Sequence, residues 1–155
     1  SWRVANQLKA KNIPVIVADV QSGPMRRWEG YNMIFSLPEK LRSQGVRFCI
    51  TGDGSASNSR NTAYHAANAA AYGLPKDEAL KSVTLYAAQV LGIADKVGSL
   101  EVGKDATLIV TTGDPLEIPT LTERVFIQGK KIDLRDKHKQ LYEKYKEKYR
   151  QMSEK

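Results

Sequence analysis

Three sets of polar residues in this sequence could do chemistry, two of them just past apolar runs and the third continuing from the first of these. The first is Asp53, set between two glycines in Gly52-Asp53-Gly54, just after Val46-Arg47-Phe48-Cys49-Ile50. A carboxylate there can take a proton from water and return it to a leaving group, and Gly54 lets a ligand or a loop approach closely. From the local string alone, turn or helix capping is the simpler reading of Asp53. The second is Asp19, just past Ile13-Pro14-Val15-Ile16-Val17-Ala18, where a carboxylate could touch a substrate or cap its own loop. The third is the polar set Ser55, Asn58, Arg60 and Asn61. Arg60 could bind a substrate carboxylate, while Ser and Asn near a helix start commonly serve as N-caps.

Other reactive side chains are sparse. The single cysteine, Cys49, excludes an internal disulfide and a cysteine-based zinc cluster, and its apolar neighbours imply a buried thiol. Of the two histidines, His65 falls inside an expected helix and His138 in the charged tail, so a packing or surface role is expected for each. No clustered His, Asp and Glu offers a complete zinc site. Gly52-Asp53-Gly54-Ser55 lacks the lysine of a phosphate-binding loop, which speaks against nucleotide binding.

The elements that must position these residues follow from periodicity. Residues 4–11 fit the end of an amphipathic helix stopped by Asn12. Residues 13–18 and 46–51 read as strands buried on both faces, with Pro14 at the start of the first. Between them a helix is expected over residues 31–43, broken by Pro38 and ended by Gly45. Strand, helix, strand with continuous apolar strands is the pattern of parallel β/α units. A helix over residues 60–72 ends at Gly73, and one further helix from Pro75 to Gly92 carries Ala79, Val83, Ala87 and Val90 along one side. From Gly98 the pattern shifts to short strands at residues 106–111, 124–128 and 131–134, the last two joined by a turn at Gln128-Gly129. Residues 135–152 form a helix with Tyr142, Tyr145, Tyr149 and Met152 on one face.

Composition bounds the rest. With 155 residues, 41% hydrophobic and 26% charged, the chain suits a folded domain of ordinary make-up. No apolar run is long enough to span a membrane. The net charge of +7 permits contact with nucleic acid, but tyrosines at helical spacing are more often a packing face, so nucleic acid is not an expected partner. Ser1-Trp2-Arg3 shows neither an initiator Met nor a signal sequence, so Ser1 reads as a boundary and the compartment is not readable.

One ordered series is more specific than any of these features. Gly73-Leu74-Pro75 leads through Glu78-Ala79-Leu80, Thr84, Ala87-Ala88 and Leu91-Gly92 to a run from Gly98 to Val110, then Gly113-Asp114-Pro115-Leu116. This series resembles the C-terminal signature of the amidohydrolase superfamily, above all its imidazolonepropionase-like members.

The resemblance implies a fold in two parts: a (β/α)₈ barrel of about 250 residues and a β-sandwich built from both chain ends. On it, residues 1–92 are the last β/α units of the barrel, with strands seven and eight. Residues 93–134 supply strands of the sandwich, and residues 135–155 an amphipathic helix. Asp53 becomes the residue that contacts a divalent metal, zinc by family habit, and handles the proton of the attacking water. Asp19, Asn58 and Arg60 become substrate contacts. The histidine ligands of that family, including an HxH pair, are absent from this sequence, and Thr51-Gly52-Asp53 departs from the Gly-Thr-Asp order common in the family. The implied function is therefore the C-terminal part of an enzyme hydrolysing C–N bonds in cyclic or linear amides. It would hold no metal and show no activity alone, and would depend on an N-terminal remainder or on self-association. The competing reading is a non-catalytic binding or scaffolding module on the same frame.

Overall fold

The computed structural model describes residues 2–52, 54 and 57–153. It opens with a 3₁₀ turn, Trp2–Val4, and helix α1, Ala5–Ala10. The helix ends at Asn12, whose φ of 54° is left-handed, and the amide of Ile13 bonds back to the carbonyl of Leu8 at 2.9 Å. The chain then enters strand β1, Val15–Val17, and returns through helix α2, Leu37–Ser43, to strand β2, Phe48–Ile50. The two strands pair in parallel, with Val15 opposite Phe48 and Val17 opposite Ile50. That is the β/α unit expected.

Three expectations need correction. Residues 31–36 form turns rather than helix, and α2 begins only at Leu37, which puts Pro38 in the first turn, where its missing N–H costs nothing. Strand β1 is not buried on both faces: Val17 is 4% exposed but Ile16 is 56% exposed, because no described element packs on the side of Ile16. Strand β2 is buried throughout. The single helix expected from Pro75 to Gly92 is two, α4, Lys76–Ser82, and α5, Leu85–Leu91. At the break, Ser82 Oγ donates to the carbonyl of Ala79 and Thr84 Oγ1 to that of Leu80, at 2.6 and 2.8 Å. These side-chain bonds compete with the helical ladder, and the β-branched pair Val83-Thr84 does not favour its continuation.

Between β2 and α4 lies helix α3, Thr62–Ala71, preceded by a 3₁₀ turn at Ser59–Asn61. Strands β3, Leu108–Thr111, β4, Thr122–Ile127, and β5, Lys130–Lys131, form an antiparallel sheet in that order. The expected turn joins β4 to β5: Gln128 and Gly129 have φ of 50° and 76°, the left-handed pair that a two-residue hairpin requires. Strand β5 is shorter and earlier than expected, and residues 132–134 lie outside it.

The main core gathers Val17, Val20, Leu41, Phe48, Ile50, Ala66, Ala69 and Leu74. Leu116, from the loop between β3 and β4, is 4% exposed and belongs to the same cluster. Helix α6, Lys137–Ser153, buries no residue, and its tyrosines are exposed. Among the described residues no helix is long and apolar enough to cross a membrane.

Candidate functional site

Parallel β/α units present chemistry at the C-terminal ends of their strands. Strands β1 and β2 are adjacent and in register, so their C-terminal ends lie side by side. Asp19 follows the first by two residues and Asp53 the second by three in sequence. Asp53, together with Ser55 and Ala56, lies outside the described residues. Its flanks are defined. Gly52 is buried, and a Cβ there would meet the carbonyl of Asn58 and the Cα of Ser59 at 3.6 Å. The chain thus leaves the strand end at Gly52 and comes back beside it at the 3₁₀ turn.

Asp19 is held in a local turn. Its Oδ1 accepts the amide proton of Gln21 at 2.9 Å, and Ser22 Oγ donates to its carbonyl at 3.3 Å. The carboxylate still keeps a third of its surface exposed. Asp19 therefore caps its loop and also presents a charge to solvent at the strand end.

Arg60 is exposed within the 3₁₀ turn. Asn58 occupies the N-cap position of that turn, where its carbonyl accepts the amide proton of Asn61 at 2.8 Å. The side chain of Asn58 makes no capping bond there. Helix α3, which follows the 3₁₀ turn, reaches the loop of Asp19 through His65.

His65 sits on the buried face of α3 with Ala66 and Ala69, and is 4% exposed. The backbone N–H of Val20 donates to its Nδ1 at 3.2 Å. Asp19 Oδ1 lies 3.5 Å from the same nitrogen. Both cannot be hydrogen bonds, since Nδ1 either carries a proton or offers a lone pair. The direction of the Val20 N–H is fixed by the backbone, so Nδ1 is the acceptor and the proton resides on Nε2. The approach of Asp19 is then a proximity, not an ion pair. Sequence reasoning placed His65 in the helix but missed this link; its one visible signal was a polar residue on the alanine face of α3.

A second feature missed from sequence is the loop after β1. It forms a hollow of about 360 Å³ with the N-terminal turn, walled by Trp2, Met25, Trp28 and Met33. The guanidinium groups of Arg3 and Arg26 lie 4.9 and 5.4 Å from the ring of Trp28. The Arg3–Trp28 contact joins residues far apart in sequence, while Arg26 is a near neighbour of the ring. At the opposite end of β2 a hollow of about 230 Å³ is bordered by Arg42, Arg47, Glu78 and Tyr86, with Tyr86 Oη donating to Glu78 at 2.8 Å. That is the N-terminal end of the strand, opposite to the end where parallel β/α units carry chemistry.

Cys49 is buried in β2, and desolvation holds its thiol above the ordinary cysteine range. It is inert packing, as expected. His138 is exposed on α6.

A metal fits these residues poorly. Among the described residues no three His, Cys, Asp or Glu side chains cluster as ligands, and the Nδ1 of His65 is already engaged. A complete donor set would need residues beyond those described.

With this geometry in hand, the likenesses to known proteins are informative. Residues 32–132 match the amidohydrolase family, and the chain belongs to that family. It is 33% identical over 101 residues to the amidohydrolase tasK of Hapsidospora irregularis, a match covering 65% of this chain and 10% of that protein. It is 40% identical over 73 residues to an imidazolonepropionase of Mesorhizobium japonicum, covering 45% of this chain and 18% of the enzyme. Among solved structures, an amidohydrolase from Thermotoga maritima superposes with a TM-score of 0.75 at 30% identity, over 86% of this chain and 35% of that one. The chain thus spans about a tenth to a third of the length of these relatives.

Proposed function

We propose that this chain is the C-terminal part of a hydrolase that cleaves C–N bonds of non-peptide amides, cyclic or linear. The observation that carries the reading is the family match over residues 32–132, which spans β2 and the loop holding Asp53. On it, β1 and β2 are the seventh and eighth strands of a (β/α)₈ barrel formed with residues outside this segment, and residues 1–92 are its last units. Residues 93–134 give strands to a composite β-sandwich, and residues 135–155 form a terminal helix. The exposure of Ile16, at 56%, and of Ile109, at 52%, supports this, since each is a strand residue whose apolar side awaits a further layer.

Asp53 is the proton-handling group. It takes a proton from water, the resulting hydroxide adds to the amide carbon, the C–N bond breaks, and the proton returns to the departing nitrogen. Asp19, Asn58 and Arg60 are the substrate contacts: Arg60 pairs with a substrate carboxylate, while Asp19 and Asn58 offer acceptors or donors to the amide and its neighbours. A divalent metal, zinc by family expectation, would be held by Asp53 with ligands from outside this segment and would supply polarisation of the attacking water, so the segment alone would neither keep a metal nor turn over substrate. Its partners are the N-terminal remainder of the same protein and, through uncovered strand faces, a second copy.

The test is hydrolysis itself. The full-length protein is incubated with a panel of cyclic and linear amides in ¹⁸O-water, and products are read by mass spectrometry. One ¹⁸O in the new carboxylate is the expected result, with the amine released from linear amides and retained on the ring-opened product of cyclic ones. No turnover of any amide by metal-loaded protein contradicts the reading.

A further inference from the structure

We infer that His65 is a positioning residue: its Nδ1 fixes the backbone at Val20 and thereby aims the Asp19 carboxylate at the mouth of the strand pair. The inference rests on the reading of Asp19 as a substrate contact.

The ladder between the strands leaves the Val20 N–H to find its acceptor elsewhere. Val20 is fully buried, yet it lies three residues beyond the end of β1. The ladder between the strands closes with the amide of Thr51 donating to the carbonyl of Val17 at 3.0 Å, so no strand partner reaches Val20. A buried N–H without an acceptor is rare in folded proteins. The acceptor it finds is 45 residues away, on a helix that follows the other strand.

The choice of residue is telling. The inner face of α3 is otherwise alanine, Ala66 and Ala69, both at 0% exposure. A leucine would fill the site of His65 with apolar volume and leave Val20 unsatisfied. An imidazole gives similar bulk with one lone pair, and that lone pair meets the Val20 N–H.

The effect on Asp19 is transmitted through backbone. Asp19 precedes Val20, and its Oδ1 is bonded to the amide of Gln21, one residue past Val20. Fixing Val20 therefore fixes the centre of the turn that orients the carboxylate. Oδ1 itself sits 3.5 Å from a nitrogen already used as acceptor, so His65 adds no ion pair. The helix after β2 thus sets the geometry of the loop after β1, coupling two segments of the same rim.

The test reads amide hydrogen exchange at Val20 and Gln21 in the full-length chain, for the parent sequence, His65→Leu and His65→Asn. The Oδ1 of asparagine falls close to the place of Nδ1, so it can accept the same proton, whereas leucine keeps volume and loses the acceptor. Exchange at both amides should quicken roughly tenfold or more in His65→Leu, the size expected when one buried hydrogen bond is lost. The amides of Cys49 and Ile50 should not change, and His65→Asn should restore protection at Val20 and Gln21. Should His65→Leu fail to fold, His65→Gln takes its place, since its acceptor lies one bond further out and should not protect Val20. Unchanged protection in the leucine or glutamine variant, or no rescue by asparagine, overturns the inference. Asp19→Ala with unaltered KM on the amide panel would instead remove Asp19 from substrate binding, and leaves the exchange result to decide the role of His65.

Discussion

Gly98 lies so close to Ala88 that a Cβ added to the glycine would sit 2.8 Å from the Cβ of the alanine. It would also stand 3.0 Å from the Cα of Leu85 and 3.2 Å from the carbonyl of Thr84, and the glycine's φ is +99°. The chain leading to the antiparallel sheet is thereby pressed onto the first turn of α5, directly against the break between α4 and α5. Backbone supplies two of the three contacts, so the neighbours cannot simply swing aside. Gly98→Ala combines this overlap with a disfavoured backbone conformation and should cost about 2–4 kcal/mol of stability. Urea unfolding followed by circular dichroism measures it. An unchanged midpoint would mean that the two segments are not packed as described.

Cys49 offers a test of burial. Its thiol is in the middle of a fully buried strand and desolvation raises its pKa, so both access and thiolate fraction are low. Native protein should resist iodoacetamide at neutral pH and react fully once unfolded in guanidinium, as read by intact mass. Rapid labelling of the native protein would show that β2 is open to solvent.

A pH prediction comes from Asp133. The Arg135 side chain donates to its carboxylate, and the backbone amide of Arg135 adds a further bond, lowering the pKa to about 2. The sign is that of a depressed carboxylate: the folded form is favoured above the unfolded-chain value of about 3.9, and this contribution is lost as pH falls from there toward 2. The carboxyl carbon of Asp133 should titrate near 2 by NMR, and Arg135→Ala should return it toward the ordinary range. A titration midpoint unmoved by that substitution contradicts the pairing.

The sequence was most legible where a single local rule operated. The β-branched and apolar runs around Val15 to Val17 and Phe48 to Ile50 became strands, parallel as the intervening helix required. The Gln128-Gly129 pair became a hairpin turn because the glycine takes positive φ at no steric cost, although Gln128 beside it also adopts φ of 50°. The break at Val83-Thr84 escaped notice because the apolar stripe through Ala79, Val83 and Ala87 runs across it. Only the carbonyl bonds of Ser82 and Thr84 decide against one continuous helix. Burial of β1 on both faces is not a local property either, since Ile16 in the middle of that strand is exposed.

The candidate site divides the same way. Asp19 could be placed at a strand end from sequence, but its turn and its neighbour His65 could not, since the Val20–His65 bond spans 45 residues and no local periodicity encodes it. The tryptophan–arginine cluster is equally non-local, bringing Arg3 to Trp28. Family membership rests on a long ordered series rather than on any one residue, which is why it was readable while the ligand geometry was not.

The most direct test of the account is the turnover of Asp53→Asn in the full-length protein on an amide that the parent hydrolyses. Asparagine keeps the shape of the side chain but cannot take a proton from water. The kcat should fall on the order of 10²–10⁴-fold with the fold intact by circular dichroism. A variant that keeps the parent's kcat would contradict it.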